Sequence, residues 1–260
     1  MMRSLWVAKT GMDAMQMNID TISNNLANVN TTGFKRSRPI FEDLLYQTLR
    51  QPGGATSQQT QLPTGLQMGT GVKPVATERI HTQGNLQLTD NPYDVAINGE
   101  GFFQIEMPDG TIGYTRDGTF QLNNQGVMVT AEGYPLQGNI TVPQGTIRFG
   151  ISRDGIVTAL AAGQTQATQI GTIQMASFIN PAGLQSVGEN LYLETAASGA
   201  PQVGTPGQTG LGVLNQQYLE VSNVNITEEL INMIQAQRAF EINSRSIQTS
   251  DQMLQKLTQL

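Results

Sequence analysis

The 260-residue chain contains no cysteine and a single histidine, His81. Without thiols it can hold neither a disulfide framework nor a thiolate metal site. With one imidazole, a Ser-His-Asp triad or a multi-histidine zinc site rests on one residue, and His81 reads as a solvated or packing side chain. Charge is scarce as well. Asp, Glu, Lys and Arg make up 13% of the residues, about half of the roughly 25% usual in soluble domains, while glutamine alone supplies 29. The polar surface is therefore mostly amides and hydroxyls. A net charge of -6 argues against a nucleic-acid partner, which needs clustered Lys and Arg to displace counterions from phosphates. The run Lys35-Arg36-Ser37-Arg38 places three cations on an acidic chain and reads as a solvated or intersubunit face. Long apolar runs are missing too. No segment approaches the roughly 18 to 20 apolar residues that cross a bilayer as a helix. Near the N-terminus the longest run, Leu5 to Ala8, is too short for a signal-peptide core, so export by the usual signal-peptide route is not expected.

What the chain does have is a pair of helical patterns at its ends. Leu5, Ala8, Met12, Met15, Ile19, Ile22, Leu26 and Val29 follow one another at spacings of 3 and 4, an unbroken heptad seam that predicts a helix about 37 Å long. At the other end, Asn225-x-x-Glu228 reads as an N-cap with a capping-box carboxylate. The chain then continues to Leu260 without Gly or Pro, which predicts a second long helix. Its seam is Met233, Ala236, Phe240, Asn243, Ile247, Ser250, Leu254 and Leu257, and its two polar positions could fix register. The expected arrangement is a discontinuous coiled-coil pair from residues 1–32 and 225–260. A two-helix rod has a narrow core, and the apolar surface left over favours bundling with further copies.

Between the ends the pattern changes. Residues 33–94 and 205–224 read as an extended connecting region with a Pro/Gly/Gln-rich insert near 46–71, where Leu62, Leu66 and Met68 could dock onto a neighbour. That composition is typical of linkers. Over 95–204, turn signals recur every eight to twelve residues, among them Pro108-Asp109-Gly110, Arg116-Asp117-Gly118, Asn123-Asn124-Gln125-Gly126, Glu132-Gly133 and Arg153-Asp154-Gly155. Strand-length apolar runs such as GFFQIEM, TIRFGI and NLYLETA fill the intervals. This predicts a compact all-β domain and, for the whole chain, the α+β class. The carboxylates Glu100, Glu106, Asp109, Asp117 and Glu132 lie close enough in sequence to suggest paired glycosidase acids, but surface charges on hairpins explain them better. No phosphate-binding or nucleophile-elbow motif is present. The residues thus predict no catalytic centre, cofactor or metal.

The stretch from Asn24 to Lys35, NNLANVNTTGFK, closely resembles the N-terminal signature of bacterial flagellar rod and hook proteins, with Asn25, Asn28, Thr32, Gly33, Phe34 and Lys35 as its motif positions. From Leu219, LEVSNVNITEELINMIQAQRAFEINSRSIQTSDQML resembles the C-terminal signature of the same family. DVAINGEGFFQI and YTRDGTFQLNNQGVMVTAEGYPLQG resemble its core β motif. Length, a single β domain and the insert after the first helix look most like the distal rod type, with a proximal rod or other flagellar axial subunit as the alternative reading.

The resemblance implies a structural subunit that stacks helically with copies of itself into a rigid hollow tube across the periplasm, carrying torque and passing exported chains. It also implies partners: proximal rod proteins, the hook protein, the P-ring and L-ring proteins, the flagellar type III export apparatus and a rod cap. The segment 46–71 would then be an ordered strut. Leu5, Met12, Met15, Ile19, Ile22, Leu26, Val29, Met233, Phe240, Ile247, Leu254 and Leu257 are the expected assembly positions. Two other readings predict different behaviour: a wall-remodelling enzyme using Glu100 and Asp117, and a monomeric binding module whose helices pair only with each other.

Overall fold

A computed structural model describes residues 2–51, 63–208 and 210–258. Two long helices come from the ends of the chain and a large β-rich body from its middle, so the protein is α+β. It divides into two compact units.

The first unit comprises residues 1–26, 37–78 and 225–260. Helix α1 runs over Met2–Ala27 and α2 over Ile226–Thr258. At the start of α2, Asn225 Oδ1 accepts from Thr227 N at 3.1 Å and Asn225 O accepts from Glu229 N at 3.0 Å. Asn225 is thus the cap that the sequence suggests, satisfying amides the first helical turn would leave orphaned. Two-stranded ribbons complete the unit. Ser37–Asp43 pairs with Val72–Arg79, and Gln47–Arg50 pairs antiparallel with Leu66–Met68, Gln47 opposite Met68. The flanks of the Pro/Gly/Gln-rich insert are therefore ordered strands, because backbone pairing satisfies their amides where composition offers few apolar anchors. Residues 52–62, including Leu62, lie outside the described residues. Arg3 on α1 reaches Gln47 and Met68 on this ribbon.

The second unit comprises residues 27–36 and 79–224. Its centre is a six-stranded sheet in the order Gln185–Gly188, Leu191–Leu193, Ile112–Thr115, Phe102–Glu106, Met175–Ser177, Gln202–Gly204. The period-2 alternation of strands divides its side chains between two apolar clusters. Phe103, Ile105, Met175 and Leu191 join Val95, Ile97, Phe120, Met128, Leu136 and Ile140 on one face. Phe102, Ala176 and Tyr192 join Tyr114, Phe178 and Leu184 on the other. Burial on both faces explains why Gly101-Phe102-Phe103-Gln104-Ile105 reads as a nearly continuous apolar run rather than an alternation. A three-stranded meander of Thr146–Ile151, Ile156–Ala161 and Thr168–Thr172 contributes Ile151 and Val157 to the larger cluster.

Of the five expected turns, four place their glycine at positive φ: Gly110, Gly126, Gly133 and Gly155. Gly118 serves differently. A Cβ there would lie 1.6 Å from the carbonyl oxygen of Val95, whose amide donates to Gly118 O at 3.1 Å. Glycine is required at that point by the close approach of a second strand.

Candidate assembly interface and its anchor

Along α1 the seam positions Ala8 and Ile22 are buried and Leu5, Met12, Met15, Ile19 and Leu26 are half-buried. Val29 is also half-buried but lies in the turn after the helix. Along α2, Ala236 and Ser250 are buried, and Met233, Phe240, Asn243, Ile247 and Leu254 are half-buried. Leu257 is in the helix, but its side chain lies outside the described residues. The structure brings the two helices together at Gly11, where an added Cβ would sit 3.0 Å from Asn243 Nδ2. The small residue on α1 makes room for a polar position of the α2 seam.

A second stripe on α2 was not anticipated. Ile231 and Ile234 are each 51% exposed, Ile242 67% and Met253 54%. At 3.6 residues per turn Ile231, Ile234 and Ile242 lie roughly 120° to 160° around the helix from the mean direction of the seam, and Met253 roughly 100°. Isolated exposed apolar residues are ordinary, but a file of them along one helix marks an interaction surface. Ile231, Ile234 and Ile242 stand in the sequence outside the heptad seam.

The motif positions from the last turn of α1 onward form an anchor. Asn25 is buried; its Nδ2 donates to Ser37 O at 2.8 Å and its Oδ1 accepts from Ser37 N at 2.9 Å. That reciprocal pair ties the end of the helix to the returning chain as a strand partner would. Asn28 Oδ1 accepts from Thr31 Oγ1 at 3.2 Å, tightening the turn. In the second unit, Thr32 Oγ1 donates to Asp117 Oδ1 at 2.9 Å. Gly33 has φ +69, and a Cβ on it would lie 2.6 Å from Asp117 N; both the conformation and the space demand glycine. Its amide donates to Glu220 O at 2.8 Å. Phe34 is buried, with the Arg79 guanidinium 5.7 Å from its ring centroid.

Lys35 corrects the reading of its basic run as a solvated or intersubunit face. The side chain is fully buried, its Nζ donating to Glu220 Oε1 at 2.6 Å and to Thr82 O at 2.8 Å. Glu220 Oε1 also accepts from Gly84 N at 2.8 Å, and its Oε2 lies 3.5 Å from Arg116 Nη1. Burial draws the Lys35 ammonium below its ordinary pKa; Glu220 opposes the shift and Arg116 adds to it. Arg116 is likewise lowered by burial, against the pull of Glu220. Single-sequence reasoning missed this cluster because its members, residues 35, 116 and 220, are remote in the chain.

His81 is a packing residue, edge-on to Phe102 and Tyr192 at 5.6 Å from each ring. Burial lowers its pKa to about 4, helped by Lys35, Arg116 and Arg79 and opposed by a backbone hydrogen bond to Pro181. Of the candidate carboxylates, Asp117 and Glu132 line one cavity of about 180 Å³ together with Glu189. Glu100, Glu106, Asp109 and Glu132 are exposed, and half-buried Asp117 caps a turn by accepting from Thr119 N at 3.0 Å.

Comparison with known proteins agrees with this anatomy. Residues 5–35 match the family described as flagella basal body rod protein, residues 96–159 the flagellar hook protein FlgE/F/G D1 domain, and residues 215–260 the flagellar basal body rod FlgEFG protein C-terminal family. Among curated relatives named flagellar basal-body rod protein FlgG, that of Buchnera aphidicola subsp. Acyrthosiphon pisum is 60% identical over 100% of both chains. The Borreliella burgdorferi protein is 50% identical over 98% of this chain and 97% of its own. The Bacillus subtilis protein is 42% identical over 100% of this chain and 99% of its own. With full-length identity at this level, the chain belongs to the flagellar basal-body rod protein family and is a structural component of the basal body rather than an enzyme.

Proposed function

We propose that this chain is the distal rod subunit, polymerising through its terminal helices into a rigid hollow tube that crosses the periplasm, carries torque to the hook and passes exported chains through its bore. The observation that carries the assembly part of this reading is the two-faced character of α2. One face is occupied by seam residues that are buried or half-buried within their own unit, and the far face leaves Ile231, Ile234 and Ile242 in water, with Met253 exposed on the flank. Burying such side chains contributes about 1.5 to 3 kcal/mol each when complete, a gain available only from another chain. In this reading α1 and α2 pair as a coiled coil, and Asn243 and Ser250 fix its register.

Stiffness under torque requires many contacts per subunit, and the ribbon of the first unit adds to them: Leu45, Tyr46, Leu49 and Leu66 are all more than half exposed. The proximal rod proteins and the hook protein would meet the two ends of the tube, the P-ring and L-ring proteins its outer surface, and the type III export apparatus and rod cap its growth path.

The test is amide hydrogen exchange on dilute and on assembled protein. Residues 2–26 and 226–258 should exchange readily when dilute and become protected on assembly, with the strands of 95–216 protected throughout. Helices fully protected at every dilution would instead describe a finished intramolecular pair and overturn the polymerisation reading.

A further inference from the structure

The sequence contains one Asn-Gly step, Asn98–Gly99. In such a step the side-chain amide is open to attack by the next residue's backbone nitrogen, and glycine hinders the attack least because it has no Cβ and the freest backbone. Asn98 is exposed and ends the strand Val95–Asn98; Gly99, just beyond it, has φ +113. Gln83, from another segment of the second unit, spans the step. Its Oε1 accepts from Gly99 N at 3.0 Å, and its Nε2 donates to Ile97 O at 3.2 Å and to Asn98 Oδ1 at 3.4 Å. Gly99 O in turn accepts from Arg116 Nη2 at 2.7 Å. One side chain thus holds both the nucleophile and the electrophile of the step. Gln83, Gly99, His81 and Arg116 line a cavity of about 440 Å³, so water has access.

We propose that Asn98 is a latent deamidation site and that Gln83 is its guard. Deamidation joins Gly99 N to Asn98 Cγ and breaks the Cγ–Nδ2 bond: the Gly99 amide proton is lost, ammonia leaves and a cyclic succinimide remains. Water then opens the ring at either carbonyl, leaving aspartate or isoaspartate. The hydrogen bond to Gln83 Oε1 keeps the proton on Gly99 N and fixes the plane of that peptide. Pairing of Asn98 with Val213 holds the strand extended, whereas ring closure needs the backbone to turn Gly99 N toward Cγ. The product would be damaging here. A Cβ on Gly212 would already lie 2.5 Å from Asn98 O, and one on Gly99 2.8 Å from Gly212 Cα, so the extra main-chain methylene of isoaspartate has no room beside the strand Val213–Gln216.

The test is incubation of the full-length protein at mildly alkaline pH, then trypsin digestion and mass spectrometry of peptide 80–116, in which fragmentation locates the exchange of an amide for an acid. The same peptide supplies internal references: Asn91 precedes Pro92, which has no amide proton to lose, and Asn85 precedes the bulkier Leu86. Folded protein should deamidate at Asn98 much more slowly than the guanidinium-unfolded chain. Gln83→Leu should speed the folded reaction roughly tenfold, the factor that one lost hydrogen bond accounts for. Gln83→Glu, which retains an acceptor for Gly99 N, should stay close to the native rate. Amide hydrogen exchange read by NMR separates a local guard from a loosened strand: in Gln83→Leu the Gly99 amide should lose protection while Val95 to Asn98 keep theirs. Equal rates in folded and unfolded chains, no acceleration in Gln83→Leu, no rescue in Gln83→Glu, or acceleration accompanied by exchange along the whole strand overturns the proposal.

Discussion

Lys35 and Glu220 meet at 2.6 Å with both side chains fully buried, and the energetics of such a pair are asymmetric. Breaking it from one side leaves a charge in a low dielectric, at about 3–5 kcal/mol. The two sides are unequal, because Glu220 faces two cations and accepts a backbone amide, while Lys35 retains only the carbonyl of Thr82. Glu220→Gln should therefore destabilise the second unit more than Lys35→Met, which leaves Glu220 facing Arg116. Urea unfolding of the two variants tests the order, and equal losses would mean that Arg116 does not share the carboxylate.

His81 sets a pH dependence at the same scale. Its folded pKa of about 4 is below the ordinary value near 6.5, so between those limits the unfolded chain binds the extra proton. Stability contributed by the neutral imidazole is present above about pH 6.5 and is lost as pH falls toward 4, by an amount on the order of 2–3 kcal/mol. Unfolding at pH 7 and pH 4.5 should show this loss in the native protein and a smaller one in His81→Gln. Parallel pH profiles for the two proteins would assign the acid sensitivity to carboxylates instead.

Among the elements, α2 holds the clearest division between folding and assembly. Ile234 and Ile242 are 51% and 67% exposed, so replacing both by serine should change the unfolding free energy of dilute protein by no more than about 0.5 kcal/mol per site. Self-association should nonetheless weaken, as sedimentation would report. If the double variant associates as well as the parent, the outer stripe is not the contact. The ribbon strands were harder to anticipate. Their apolar residues are exposed on a pleated surface, and pairing depends on a backbone partner about twenty residues away, of which composition carries no trace.

At the level of the whole molecule the two units answer different needs. All members of the two apolar clusters belong to the second unit, which should fold irrespective of the helices. Leu26→Asp or Phe240→Asp places a charge on a half-buried seam, where it costs unless paired, so assembly and motility should fail while the unfolding transition of the β-rich unit persists. Normal motility in either variant would count heavily against the seam.

Much of this was legible in sequence because it is local. Heptad spacing declared both helices, Asn225 declared its cap, and glycine-bearing turns declared the hairpins, since periodicity and backbone preference act within a few residues. The chain's own order could not reveal that Lys35 is buried, that Gly118 yields to a crossing strand, or that a guanidinium and an imidazole face one cavity. Those features arise where segments from about 20 to 185 positions apart pack together, and burial then changes the cost of a charge and the room for a Cβ in ways no residue encodes alone.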